Sequence, residues 1–299
     1  MSGIPTVSVV IPVLNGASTI GDTLAGVTNQ AFGPCAAEIL VVDNGSTDET
    51  RTIVQKFPVT LLTETKRGAA AARNRGLRAA HGEFVAHLDA DTLPTRHWLA
   101  HIVAPFADAN VTQVAGRMLS YRPSTAAERY YSRRFLDREA QNATAEGFPF
   151  AAAGNMAVRR DAALAVGGWD ESFRVGQDVD LSYRLLRRFD VPIHYQPEAL
   201  VFLRSSRTLA ELKQRAFKYG QGRARLWLQY PEAAPWGPRG AARIAAALAV
   251  CGLWPQVART ARWWGYANDF DVQEAECHRA WNWWLWGGFV SMLRHRDWR

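Results

Sequence analysis

Four short apolar runs near the amino terminus set the strongest limit on what this chain can fold into. They are Val7–Val13, Glu38–Val42, Val59–Leu62 and Phe84–Leu88, and stretches of helical spacing separate them. After the first run, Thr19 with Asp22 marks a helix start, and Ile20, Leu24 and Val27 recur at helical intervals. Ser46 with Glu49 has the spacing of a capping box and predicts a helix to about Phe57. The Ala-rich stretch from Gly68 to His81 reads as a third helix, stopped by Gly82. Short apolar strands alternating with helices predict an α/β fold, a mostly parallel central sheet with helices on both faces. Ligands of such sheets gather at the carboxyl ends of the strands. Pro12, Asp43 and Asp89 all fall there.

The fourth run leads directly into Asp89-Ala90-Asp91. On an extended backbone, residues two apart point the same way, so both carboxylates can address one object. Such a pair suits Mg²⁺ or Mn²⁺, hard cations that keep waters and share phosphate oxygens. Alone the pair is a weak signal, because surface turns use aspartate freely.

The pattern loosens after residue 110. Arg117 to Gly147 reads as a helical or irregular excursion, Ala151 to Arg159 as a strand, and Gly167 to Asp170 as a turn. Val179 to Phe189 reads as a helix, and Pro192 to Tyr195 returns to the sheet. Thr208 to Tyr230 predicts a long basic amphipathic helix that Gly220 and Gly222 would interrupt. This divides the chain into 1–110, 111–207 and a basic, Trp-rich C-terminal helical extension (208–299).

Composition narrows the classes. The formal charge is +7, and residues 200–299 hold 15 basic against 7 acidic groups, so the excess lies in the last third. No recognised nucleic-acid motif accompanies that charge. Three widely spaced cysteines build neither a disulfide framework nor a zinc site, which fits a reducing compartment. The start of the sequence lacks the pattern of a signal peptide, and the longest apolar run, Ile244 to Trp254, is 11 residues, too short to span a bilayer. The expectation is a cytoplasmic protein, at most peripheral at the inner face of the plasma membrane. Pro12 to Gly16 does not supply the Gly-x-Gly-x-x-Gly turn of a dinucleotide-dependent oxidoreductase.

With these pieces in order, the sequence resembles the inverting family 2 of nucleotide-sugar glycosyltransferases, which have a GT-A fold. The resemblance covers about residues 5–225 and rests on Val7–Asn15 (VSVVIPVLN), Val41–Asp48 (VVDNGSTD), Gly68–Gly76 (GAAAARNRG), Leu88–Asp91 (LDAD), Gly167–Glu171 (GGWDE) and Gln177–Leu181 (QDVDL). It implies a transferase that moves a sugar from a nucleotide-sugar donor, a UDP-sugar by preference, to a hydroxyl of a glycan or lipid-linked saccharide. A catalytically silent binding module of the same fold is the alternative. The resemblance implies that residues 1–110 are a nucleotide-sugar-binding half and residues 111–207 a half for the acceptor and the catalytic base.

The resemblance also implies roles. Pro12, Val13 and Asn15 would offer backbone groups to the base, Asp43 would accept the N3–H of uracil or thymine, and Asn44 beside it would belong to the same nucleotide site. Asp43 shaping its own loop is the competing reading, a task open to Asn44 as well. Arg73 would contact the nucleotide or its diphosphate. Asp89 would stand near the ribose and the waters of the metal, and Asp91 would bind the cation directly. Asp178 would take the proton from the acceptor hydroxyl as it attacks the anomeric carbon, or else act only as a helix cap. Gln177 occupies a position usually held by Glu. Gly154, Asn155 and Gln177 would line the acceptor side, and Trp169 would either offer its face to a sugar ring or belong to the core. The histidine common after the strand that follows the base is missing from Ala199–Arg204. Either the metal uses fewer protein ligands, or Arg204 or Arg207 brings positive charge to the diphosphate.

Nine of the 12 tryptophans lie after residue 235. With the basic helix they suggest docking on a membrane surface; a cap on the catalytic domain or a homodimer contact is the equal alternative.

Overall fold

Val9, Val10 and Ile11 have no exposed surface, because the strand that carries them lies inside the sheet with neighbours on both sides. The computed structural model describes residues 7–31, 37–136, 149–204, 207–233, 238–264 and 268–294. Its strands are β1 (Val7–Val13), β2 (Ala37–Asp43), β3 (Thr60–Thr63), β4 (Phe84–Leu88), β5 (Thr92–Pro94), β6 (Gln113–Ser120), β7 (Asn155–Arg159) and β8 (His194–Leu203). They form one sheet in the order β3-β2-β1-β4-β7-β6-β8-β5.

The strands expected from the four apolar runs make its parallel block, β3-β2-β1-β4. Beyond it the sheet becomes mixed: β7 runs antiparallel to β4, β6 to β7 and β5 to β8. Strand β6, within the stretch where the pattern loosens, was not legible. Its burial depends on neighbours far along the chain, and the later part of that excursion lies outside the described residues.

The helices are α1 (Ile20–Thr28), α2 (Thr50–Val54), α3 (Ala69–Ala79), α4 (Trp98–Val103), α5 (Ala126–Phe135), α6 (Arg160–Ala165), α7 (Gln177–Phe189), α8 (Leu209–Gln229), α9 (Pro238–Trp263) and α10 (Asp269–Arg294). Two expected caps do different work. Ser46 does not cap α2; its hydroxyl accepts the Asn15 N–H at 2.9 Å. Gly82 does not stop α3, which ends at Ala79, but packs against β1 and donates its N–H to Ser8 Oγ at 2.9 Å. Helix α3 in turn lies flush on β1 because Gly76 has no side chain: a Cβ there would stand 2.4 Å from Val10 Cγ1.

The described residues group into two compact units: residues 7–119 with 149–204, and residues 120–136 with those from 207 onward. The second unit is helical. Thr125 and Thr208 each close a capping box, with Glu128 and Glu211, at the starts of α5 and α8. Gly220 and Gly222 do not interrupt α8, which is continuous. A Cβ on Gly220 would stand 1.8 Å from the Leu285 carbonyl oxygen, and one on Gly288 would stand 1.9 Å from that of Phe217. These glycines let α8 and α10 meet backbone to backbone.

Candidate active site

The site is built where the parallel strands end. Val13 and Asp43 are register partners at the ends of β1 and β2. The loops after these strands are tied together: Asn44 N–H donates to the Val13 carbonyl at 2.8 Å, Thr47 N–H to Asn15 Oδ1 at 2.9 Å, Gly16 N–H to Thr50 Oγ1 at 2.8 Å and Ala17 N–H to Asp48 Oδ2 at 3.1 Å. Asn15 takes a left-handed φ of 51°, which asparagine tolerates better than most residues. Asp43 is buried, receiving Ser46 N–H at 3.1 Å and the Arg51 guanidinium at 2.9 Å. Burial alone would raise its pKa; the bonds from Ser46 and Arg51 outweigh it and hold the carboxyl below its ordinary value. Asn44 is also spent inside the protein. Its amide donates to the carbonyls of Glu64 and Lys66 and accepts the Gly68 N–H. Arg51 and Asp48, which brace these loops, were not singled out as site residues, since an exposed arginine on a short helix carries no local signal.

Arg73 joins two parts of the site. Helix α3 turns Arg73 inward, leaving 8% of its side chain exposed. One guanidinium nitrogen donates to Asp89 Oδ1 at 2.8 Å and another to Gln177 Oε1 at 2.9 Å. Gln177 meets the fork with its amide oxygen and sends its N–H to the Phe173 carbonyl at 2.9 Å. A glutamate there would lack that donor.

Asp178 follows at the start of α7. Its carboxylate accepts the Ala153 N–H at 3.3 Å and the Val179 N–H at 3.0 Å. Burial pushes its pKa up, and Arg73 with these two bonds offsets the rise only in part. The adjoining Gly154 packs on the other carboxylate, since a Cβ there would stand 2.8 Å from Asp89 Oδ2. One dipeptide, Ala153-Gly154, therefore touches both Asp178 and Asp89.

Asp89 and Asp91 occupy a turn, not an extension of β4. Thr92 closes it, donating both its N–H (3.2 Å) and its hydroxyl (2.7 Å) to the Asp89 carbonyl. Strand alternation therefore does not set the direction of the two carboxylates. Where the family histidine is missing, Arg204 stands across from Asp91: its N–H points to the Asp91 carbonyl at 3.4 Å, and its guanidinium pairs with Asp22 at 2.5 Å. Among the described residues, no group of three or more His, Cys, Asp or Glu is arranged to hold a cation. A cation that shares phosphate oxygens and keeps waters needs only one or two carboxylates, and the partly exposed Asp89 and Asp91 meet that need.

Two expected acceptor contacts are corrected. Asn155 is 1% exposed and has no amide capacity turned outward: it donates to the carbonyls of Arg117 and Ala199, both at 2.8 Å, and accepts Trp98 Nε1 at 2.7 Å. It staples the antiparallel half of the sheet. Trp169, 2% exposed, offers no face to a sugar. The Arg73 guanidinium lies 4.9 Å over its ring, His87 meets it edge-on at 4.9 Å, and Asn74 grips its backbone on both sides. His87 is fully buried and neutral, its pKa pulled down to about 3 by burial and then by Arg73. Asp180, also buried, holds Arg184, which reaches the carbonyls of Val166 and Gly168 in the glycine turn.

This parallel block with its carboxylates at the strand ends, extended by an antiparallel half, is the GT-A arrangement of glycosyltransferases. A family model described as glycosyl transferase family 2 matches residues 8–167. The chain belongs to that family and is a glycosyltransferase. It is 32% identical over 242 residues to glycosyltransferase AglE of Haloferax volcanii, covering 76% of each chain. It is 33% identical to the pre-mycofactocin glycosyltransferase of Mycobacterium tuberculosis, covering 76% of this chain and 48% of that one. The fold is similar to that of mannosyltransferase PcManGT from Pyrobaculum calidifontis, solved with GDP-Man and Mn²⁺ (TM-score 0.69, 22% identity, 99% of this chain and 89% of that one). It is also similar to that of glucosyl-3-phosphoglycerate synthase from Mycobacterium tuberculosis, solved with Mn²⁺, UDP and glucosyl-3-phosphoglycerate (TM-score 0.54, 18% identity, 75% and 79%).

Proposed function

We propose that the chain is an inverting transferase that takes a sugar from a nucleoside diphosphate sugar, a UDP-sugar in the first instance. The acceptor is a hydroxyl of a glycan or lipid-linked saccharide. The observation that carries this reading is the pair of hydrogen bonds that Arg73 donates, to Asp89 on the donor side and to Gln177 beside Asp178. Arg73 thereby couples the position of the donor to that of the base.

In this reading the loop bearing Pro12, Val13 and Asn15 frames the nucleobase, and Asp43 directs its remaining acceptor capacity to it. Asp178 removes the proton of the acceptor hydroxyl as its oxygen attacks the anomeric carbon from the side opposite the diphosphate, inverting that centre. A carboxylate whose pKa burial has raised is a stronger base than an exposed one. Mg²⁺ or Mn²⁺ held by Asp91 with water and the diphosphate would supply Lewis-acid stabilisation of the leaving group. Two solved structures support a nucleotide donor and a divalent metal: the mannosyltransferase carries GDP-Man and Mn²⁺ and the synthase UDP and Mn²⁺. Another relative is named as a UDP-Glc glucosyltransferase acting on a diphosphoundecaprenol-linked sugar.

The test is release of nucleoside diphosphate from a panel of UDP- and GDP-sugars with Mn²⁺, comparing wild type with Asp178→Asn. Turnover should fall by about 10²–10⁴-fold in the variant. UDP binding measured by calorimetry should survive in Asp178→Asn and lose its Mn²⁺ enhancement in Asp91→Asn. Equal turnover in wild type and Asp178→Asn would overturn the assignment of the base.

A further inference from the structure

Around Arg73, polar groups of three side chains find no partner among the described residues. Arg73 spends two of its nitrogens on Asp89 and Gln177, but its Nε–H is buried and meets no acceptor. Trp169 Nε1–H is in the same position, and so are both ring nitrogens of His87. Arg73, Trp169 and His87 are 7%, 2% and 0% exposed and lie together. The guanidinium stands 4.9 Å over the indole, and the imidazole meets that indole edge-on at 4.9 Å. His87 cannot turn away to solvent. It sits inside the sheet on β4, with Val10 of β1 and Met156 of β7 as register partners.

Leaving several buried polar groups unpaired in one place is costly, and a phenylalanine would fill this strand position without that cost. The three groups are nevertheless complementary. Arg73 and Trp169 bring only donors, whereas the neutral imidazole of His87 has one nitrogen that accepts. No direct bond joins them, so the group that links them must both accept and donate. Water does both, and it occupies buried sites that offer two to four polar partners.

We propose that Arg73, Trp169 and His87 hold one internal water, and that His87 is a positioning residue for Arg73. The water accepts from Arg73 Nε–H and Trp169 Nε1–H and donates to a ring nitrogen of His87. The guanidinium is then held by Asp89, by Gln177 and by the water, and it cannot rotate in its plane without breaking a bond. His87 touches no substrate in this arrangement and acts only through the fork of Arg73.

The test has a structural and a functional arm, both on the full chain. A high-resolution crystal structure of the wild type should show one water within hydrogen-bond distance of Arg73 Nε, Trp169 Nε1 and a ring nitrogen of His87. Absence of that density would overturn the proposal, whatever any variant does. His87→Phe keeps a ring and removes the acceptor. It should melt below wild type, because two buried donors lose their shared partner. Its kcat/KM for release of nucleoside diphosphate should fall about tenfold, through kcat, the scale of one hydrogen bond to a charged group. His87→Gln restores an acceptor and should recover much of both. A core histidine without this task gives the opposite sign. His87→Phe would then melt above wild type with its kinetics unmoved, and that result would overturn the proposal. A lower melt with unmoved kinetics would overturn the positioning role. Only the kinetic readout rests on the proposed transferase reaction; the density and the melts are independent of it, so the two can fail separately.

Discussion

Arg73 and Asp89 form an ion pair at 2.8 Å in which the arginine is almost enclosed and the aspartate keeps 36% of its side chain exposed. Gln177, next to the proposed base Asp178, is thus anchored through Arg73 to a residue that still faces outward. The guanidinium is held by Gln177 and lies over Trp169, so its position is fixed before any ligand arrives.

Arg73→Lys keeps the charge and loses the fork, so it cannot hold Asp89 and Gln177 together. Its kcat/KM should fall roughly 100-fold, the scale expected when a positioning contact slips. Melting of the variant should change far less than its kinetics; a small kinetic effect would place Arg73 outside the coupling.

Asp178 carries a cost that pH reveals. Its folded pKa lies above its unfolded one, so the folded chain resists the charged form. The penalty is fully present above the folded pKa and vanishes below the ordinary aspartate value of about 3.9. Asp178→Asn should therefore melt higher than wild type at pH 7, and the two should converge as pH falls through that window. Thermal melts across pH check the sign.

Gln177→Glu places a negative charge next to Asp178 and competes with Asp89 for Arg73. Like charge disfavours ionisation, so Asp178 should need a higher pH to lose its proton. The acid limb of the kcat/KM profile should move upward. An unmoved limb would show that residue 177 does not act on the base.

Asn155→Ala strips partners from Trp98 Nε1 and from two carbonyls. Denaturant unfolding should show a loss of about 3 kcal/mol or more, since buried groups left unpaired cost roughly 1–3 kcal/mol each. A variant that keeps its stability and loses only acceptor affinity would return Asn155 to the acceptor side.

Gly220→Val pushes a side chain into the Leu285 carbonyl. The backbones of α8 and α10 would have to part, and the helical unit should lose about 3 kcal/mol or more, at or above the usual cost of overpacking. Limited proteolysis after residue 207 should report it.

Much of the donor side was legible because its signals are local. Val7–Val13 and Phe84–Leu88 are apolar except for Ser8 and His87, and each runs into the polar turn of a strand end. The misreadings involve residues whose partners lie far along the chain. Ser46 has the spacing of a cap, but Asn15, 31 residues away, claims its hydroxyl. Trp169 carries a motif compatible with sugar stacking, yet Asn74, 95 residues away, fixes its backbone while Arg73 and His87 cover its ring.

Sequence alone thus determined the parallel block, the carboxylates at its edge and the family, all set by residues close in order. The tertiary structure alone decided the rest: that Asp89 and Asp91 share a turn, that Arg73 ties Asp89 to Gln177, that Asn155 and Trp169 belong to the interior, and that Gly220 joins helices where it was expected to break one. Each is a matter of which distant groups a side chain meets, and local spacing does not encode those meetings.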